Sequence, residues 1–243
     1  MNRHLKRFVI AVIVILPLQG CGQPDIGAIL SDSSRPQEDR DRDSGRAPAE
    51  VIAFFGIGPG DDVADLLAGG GYWTRILVPL VGPEGRVYSG NNPFFVGFFG
   101  EAFDALLAEP GFGAVVRIDA PVDALPLADG SLDVAIMVQA YHDIVLGDED
   151  RDEMNRRIFA ALRSGGVYGI VDHAAAAGTG VSATESLHRI DKQFIIDEVT
   201  AAGFTLAGES DVLANPEDDH SLIIFNPEIN GRTDRFVLRF EKP

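Results

Sequence analysis

The chain is 243 residues long and contains a single cysteine, Cys21. One cysteine cannot form an intrachain disulfide, and no Cys/His spacing typical of a zinc site is present. The sequence also has no internal repeat. Basic residues are scarce, with 20 Lys and Arg against 37 Asp and Glu and a formal net charge of −17. Because a nucleic-acid footprint needs a clustered basic face, nucleic acid is not expected as a partner.

Apolar residues are well represented and decide the size of the core. They make up 46% of the chain, which is enough to bury a full hydrophobic core. A chain of this length fits one large α/β domain or two small ones.

The first 21 residues are predicted to be a targeting segment. A basic region at Arg3, Lys6 and Arg7 precedes an apolar run over residues 8–18, which is too short for a comfortable membrane span. Leu-Gln-Gly-Cys at residues 18–21 resembles a bacterial lipobox. That resemblance implies a lipid anchor at Cys21 and a location on the periplasmic side of the cell envelope. An ordinary signal peptide and an uncleaved anchor are the alternatives.

Residues 22–45 are predicted to form a disordered linker. After Leu30 this segment has almost no apolar content, so it cannot bury enough surface to order itself. The folded domain is then expected to span residues 46–243.

The domain is organised around residues 63–74, which read V-A-D-L-L-A-G-G-G-Y-W-T. The apolar run Val63–Leu67 predicts a buried strand. The helical spacing of apolar residues in Tyr72–Val81 predicts a helix. Between them, Gly69, Gly70 and Gly71 allow a tight turn and let a ligand lie against the backbone. A strand, a glycine turn and a helix form half of a nucleotide-binding unit, although such glycines can also serve chain geometry alone.

The spacing of the glycines distinguishes two ligand classes. A dinucleotide site favours G-x-G-x-x-G, but here the third glycine is replaced by Thr74. Asp65, three intervening residues and Gly69-x-Gly71 resemble instead the first motif of the class I S-adenosylmethionine (SAM)-dependent methyltransferases. Three later segments resemble the same family: 125–133 (L-P-L-A-D-G-S-L-D), 162–166 (L-R-S-G-G) and 202–204 (A-G-F).

The resemblance implies a fold and a cofactor site. The implied fold is a doubly wound α/β domain with a seven-stranded, mostly parallel sheet and an antiparallel last strand. The implied cofactor is SAM. The residues assigned to it are Asp65, Gly69, Gly70, Gly71, Asn91, Asp119, Asp123 and Tyr141.

The ribose ligand departs from the family pattern, and the adenine ligand has two candidates. An acidic residue is usual at the end of the second strand, where it holds the ribose hydroxyls. Asn91 stands there and can only hydrogen-bond without charge assistance. Asp119 and Asp123 are both candidates for the acidic residue near the adenine, and the spacing does not choose between them.

Pairs of His and Asp residues follow the predicted fourth and fifth strands. His142 and Asp143 follow one strand, and Asp172 and His173 end the next. Ligands of open α/β sheets bind beyond the carboxyl ends of the strands. We therefore predict that one of the two histidines takes a proton from the methyl acceptor while a neighbouring Asp orients it.

Two more histidines in the domain, His188 and His220, also have an Asp nearby in the sequence. They are expected to be structural or to position the substrate. His and Asp side chains can bind a divalent ion, but no tight ligand spacing is present, so no metal is predicted.

These observations favour a SAM-dependent methyltransferase acting on a small molecule. A domain that binds SAM without turnover is one alternative, which Asn91 favours. An NAD(P)-dependent oxidoreductase is another, which Thr74 and Asn91 disfavour.

Overall fold

The computed structural model of the chain describes residues 25–243. The predicted targeting segment and the lipid anchor at Cys21 lie outside this part of the chain. Within residues 25–243, no helix is both long enough and apolar enough to span a membrane.

Seven strands form one sheet. They are β1 (Asp62–Leu66), β2 (Arg86–Gly90), β3 (Val116–Arg117), β4 (Leu132–Val138), β5 (Leu162–His173), β6 (Thr205–Ser210) and β7 (Arg235–Glu241). The strand order is β3-β2-β1-β4-β5-β7-β6. The first five strands run parallel, whereas β7 pairs antiparallel with both β5 and β6. The predicted seven-stranded sheet with an antiparallel last strand is confirmed.

Nine α-helices accompany the sheet in residues 25–243. They are α1 (Ile26–Ser31), α2 (Gln37–Arg46), α3 (Pro48–Phe55), α4 (Tyr72–Val81), α5 (Pro93–Leu107), α6 (Tyr141–Ile144), α7 (Arg151–Ala161), α8 (Thr184–Leu187) and α9 (Lys192–Ala201). The helix predicted over Tyr72–Val81 has these bounds, and its apolar face is buried against the sheet.

The expectation of a disordered linker over residues 22–45 is wrong for the part that the structure describes. Residues 26–31 and 37–46 are helical. The guanidinium of Arg35 makes two hydrogen bonds to Asp43, at 2.7 and 2.8 Å. The hydroxyl of Tyr72 in α4 donates to the same carboxylate at 2.6 Å. Polar contacts therefore order α2, whereas Ile26, Ile29 and Leu30 of α1 pack against the hydrophobic core.

Helix α5 lies next to the glycine turn and begins with clear local signals. The side chain of Asn92 accepts a hydrogen bond from the backbone N–H of Phe95, and Pro93 occupies the first helical turn, where its missing N–H costs nothing. Phe103 and Leu106 are buried, whereas Phe94 and Phe98 are 61% and 72% exposed. Helix α5 therefore has one face buried in the core and another that leaves large aromatic side chains exposed.

Candidate active site

The glycine turn lies at the carboxyl edge of the sheet, directly after β1. Leu67 has φ 54° and Gln139, directly after the neighbouring strand β4, has φ 57°. Both side chains line the cavity described below. A left-handed backbone is unfavourable for residues other than glycine, and such strain concentrates at functional sites.

The three glycines have different roles. Gly69 and Gly70 line the cavity. Gly71 does not, and a Cβ placed on it would lie 2.1 Å from Leu106 Cδ2 of α5. Gly71 therefore allows α5 to pack closely, and its assignment to the cofactor is corrected.

Asn91 is buried and its side chain holds the glycine turn. Its Oδ1 accepts a hydrogen bond from Gly69 N at 2.9 Å, and its Nδ2 donates to Gly69 O at 3.0 Å. Asn91 is only 2% exposed and does not line the cavity described below, so it supports the turn instead of facing a ribose hydroxyl. This corrects the expectation that it binds cofactor.

Neither of the two acidic residues proposed for the adenine lines the cavity. Asp119 accepts a hydrogen bond from the backbone N–H of Asn91 at 2.8 Å and pairs with Arg117. Asp123 accepts from the backbone N–H of Asp150 at 3.0 Å. Both carboxylates stabilise loops, so these two assignments are also corrected.

Asp65 is buried beneath the turn and lines the cavity. Its Oδ2 accepts a hydrogen bond from Thr74 Oγ1 at 2.6 Å, and Thr74 Oγ1 lies 2.6 Å from Ser89 Oγ. Burial raises the pKa of Asp65 to about 6, although the hydrogen bonds from Thr74 lower it. Asp65 thus lines the cavity, and at neutral pH its buried charge destabilises the folded protein.

The cavity has a volume of about 650 Å³ and lies between the strand ends, α2 and α5, within the roughly 300–1,000 Å³ range of small-molecule sites. Arg46 at the end of α2 lines it and has no hydrogen bond or ion pair from its side chain within residues 25–243. Trp73 lines it too, and its buried Nε1 has no partner there. Buried donors without partners are rare in folded proteins, so Trp73 fits a ligand with an acceptor atom, and the half-buried guanidinium of Arg46 adds donors beside it.

The opposite end of the cavity is built on β4 and β5. Asp172 is fully buried and accepts hydrogen bonds from His142 Nδ1 at 2.7 Å, from His142 N at 2.9 Å and from His173 N at 2.7 Å. Asp172 therefore orients the ring of His142 rather than that of its neighbour His173. His173 Nδ1 lies 2.8 Å from Thr233 Oγ1.

The two histidines differ in charge. Burial lowers the pKa of His142, but the carboxylates of Asp172 and Asp143 outweigh it and raise the pKa to about 10. Burial, reinforced by the positive charge of His142, lowers the pKa of His173 well below its ordinary value. In the absence of a metal ion the carboxylates favour the charged form of His142, whereas the surroundings of His173 favour its neutral form, which can accept a proton.

Asp143 lines the cavity and connects His142 to a third histidine. Its Oδ1 lies 3.3 Å from His142 Nε2 and 3.1 Å from His188 Nδ1. Sequence reasoning missed the closeness of His188, as well as Arg46 and Trp73. His220 pairs instead with Asp234 at 2.9 Å and does not line this cavity.

Tyr141 is not a cavity residue. It is fully buried in the core, its hydroxyl donates to Glu198 at 2.9 Å and it accepts from Asn155 Nδ2 at 2.8 Å. The assignment of Tyr141 to the cofactor is therefore corrected.

No family model matches the chain. Solved structures with the same fold are numerous enough to identify the architecture. A SAM-dependent methyltransferase from Aquifex aeolicus superposes with a TM-score of 0.59 at 18% identity, covering 89% of this chain and 97% of that one. The fold is that of SAM-dependent methyltransferases.

Two further solved structures show what this fold accommodates. Geranyl diphosphate C-methyltransferase from Streptomyces coelicolor A3(2) has a TM-score of 0.58 at 12% identity, over 89% of this chain and 88% of that one. The [4+2]-cyclase SpnF has a TM-score of 0.59 at 19% identity, over 82% of this chain and 81% of that one. Function must therefore be argued from the site.

Proposed function

We propose that the chain is a SAM-dependent methyltransferase that acts on a small molecule. The observation that carries this proposal is the single cavity that joins the glycine turn to the His/Asp cluster. One end offers bare backbone and donors without partners, which suits a cofactor. The other end offers titratable side chains, which suits a reacting group.

The residues at the first end fit the methionine part of SAM. Gly69 and Gly70 would lie beneath it, and Asp65 would attract its ammonium group. Arg46 would pair with its carboxylate in a charge-assisted hydrogen bond. When bound, SAM supplies an electrophilic methyl group.

The residues at the second end would hold the methyl acceptor. Phe225 lines the cavity together with His142, Asp143 and His173, and its ring centroid lies 5.0 Å from that of His188. The acceptor therefore combines an apolar part with a polar group. Methyl transfer depends mainly on alignment of the acceptor. His173 is the candidate base, because its Nδ1 is bound to Thr233 and its Nε2 has no hydrogen-bonding partner within residues 25–243.

The test compares two ligands that differ in the carboxylate. We expect calorimetry to show tighter binding of S-adenosylhomocysteine than of methylthioadenosine, which lacks the amino acid end. Arg46→Met should weaken S-adenosylhomocysteine about 10- to 100-fold, since a hydrogen bond to a charged group contributes roughly 1.5–3 kcal/mol. Binding of methylthioadenosine should be unchanged.

Arg40→Met is the matched control, because Arg40 lies in the same helix but does not line the cavity. NAD is titrated in parallel. Binding of NAD without binding of S-adenosylhomocysteine would overturn the proposal in favour of an oxidoreductase.

A second candidate function is a domain that binds SAM without turnover. The specific observation in its favour is Asn91, whose amide is bonded to Gly69 where the fold usually places an acidic ribose ligand. A methyl-release assay with phenols, carboxylates and amines separates the two. Cofactor binding with no methyl release from any acceptor would favour this candidate.

A further inference from the structure

Three potential metal ligands converge at the rim of the cavity. His142 and Asp143 lie in α6, directly after β4, whereas His188 follows α8 in the segment between β5 and α9. Their nearest ligand atoms, His142 Nε2, Asp143 Oδ1 and His188 Nδ1, all lie within 4.8 Å of one another. The fold thus brings together residues that are 45 positions apart.

The distances around Asp143 match those between neighbouring ligands of one ion. Imidazole and carboxylate ligands lie about 2.0–2.2 Å from a transition metal. At tetrahedral or octahedral angles, two such ligands are therefore about 3.0–3.4 Å apart. The observed separations from Asp143 Oδ1 are 3.3 Å to His142 and 3.1 Å to His188.

A buried carboxylate supports the first ligand. Asp172 accepts a hydrogen bond from His142 Nδ1 at 2.7 Å and another from His142 N at 2.9 Å. This leaves Nε2 directed at Asp143. A carboxylate that binds the far nitrogen of a ligating histidine is the usual support of a metal site, because it fixes the ring and the tautomer.

We propose that His142, Asp143 and His188 bind a divalent transition-metal ion, with open coordination positions facing the cavity. Two imidazoles and one carboxylate favour Zn²⁺, Fe²⁺, Co²⁺ or Mn²⁺ over Mg²⁺ and Ca²⁺, which prefer oxygen ligands. Three protein ligands leave room for water or substrate. The proposal goes beyond methyl transfer and does not depend on the cofactor.

The test measures metal binding by the untagged full chain after dialysis against a chelator. Co²⁺ is the optical probe, and calorimetry with Zn²⁺ gives the stoichiometry. We expect one equivalent to bind with a change in visible absorption. His188→Ala should weaken binding at least about 10-fold, and Asp172→Asn should weaken it about 10- to 100-fold.

His220→Ala is the matched control, because His220 also pairs with a carboxylate, Asp234, but has no third ligand within residues 25–243. It should bind metal like the wild type. A cooperative thermal unfolding transition of His188→Ala shows that the variant is folded, and its binding of S-adenosylhomocysteine tests the cofactor site separately. Absence of saturable binding by the wild type, or equal affinity of the wild type and His188→Ala, would overturn the proposal.

Discussion

The ionised side chain of Asp65 lowers the stability of the free protein but is expected to favour ligand binding. Its folded-state pKa of about 6 lies above the ordinary 3.8, so its ionisation opposes folding. That cost appears as the pH rises from about 4 to about 6 and is complete above this range. The difference corresponds to about 3 kcal/mol of unfolding free energy. A residue that destabilises the free protein at neutral pH is expected to have a role in ligand binding.

We therefore expect Asp65→Asn to raise the free energy of unfolding by up to about 3 kcal/mol at pH 8, because the amide removes the buried charge. Near pH 3.5 the gain should vanish. Urea denaturation without cofactor measures both values. Asp129→Asn, at an exposed position, should change neither. A loss of stability at pH 8 would show that the buried charge of Asp65 is compensated.

The sequence predicted part of the site for a definite reason. Asp65, His142 and His173 all lie near the carboxyl ends of parallel strands, which meet at one edge of the sheet. His188 could not be placed, since it lies in an irregular segment with no periodicity. The predictions for Asn91 and Tyr141 were wrong because the direction of a side chain after a strand depends on contacts with distant segments.

At the level of elements, α2 shows how polar contacts can order a charged segment. Arg35 is only 3% exposed and depends on Asp43 for its charge pairing. The guanidinium of Arg46 also lies 4.4 Å from the ring centroid of Tyr72, within the range of a cation–π contact. The Arg46 contact and the hydrogen bond from Tyr72 to Asp43 join α2 to α4.

Asp43→Ala should release α2 from the domain. Removal of one partner leaves the buried charge of Arg35 unpaired, which costs about 3 kcal/mol. Since slow proteolysis follows the population of the open form, trypsin should cleave at Arg40 and Arg42 up to about 100-fold faster. Asp41→Ala, on the exposed side of α2, is the control. If trypsin cleaved the wild type as fast as Asp43→Ala, α2 would not be held against the domain, and the prediction of a disordered linker would stand.

Strands and helices with apolar periodicity were predicted well, whereas α1 and α2 were not. Periodicity reports burial of one face, and the strand over residues 62–66 and the helix over 72–81 follow it. The order of α2 instead comes from ion pairs and cation–π contacts between segments. The amino-acid composition of a segment does not show which distant residues it will contact.

At the level of the whole molecule, the location of the chain remains a prediction. The lipobox-like residues 18–21 imply a lipid at Cys21. Cys21→Ser should move the protein from the membrane fraction to the soluble fraction, or leave it unprocessed. Detergent phase partitioning of cell extracts measures this. Unchanged partitioning of the variant would contradict lipidation.

An envelope location would also constrain the reaction. SAM is made in the cytosol, so an exported methyltransferase would need a supply of cofactor outside. The non-catalytic alternative does not need that supply. The cellular location and the methyl-release assay therefore bear on the same question.

Strand β5 has a consequence for local stability. It is paired on both sides, with β4 and β7, and it ends at Asp172 and His173. The amides of residues 167–171 are expected to exchange with solvent only through global unfolding, whereas those of residues 176–189, which form turns and the short helix α8, exchange through local opening. The His/Asp cluster thus joins residues at the stable edge of the sheet to His188, which lies in a segment that opens locally. A ligand that bridges His142 and His188 would transfer hydrogen-exchange protection from the sheet to this segment.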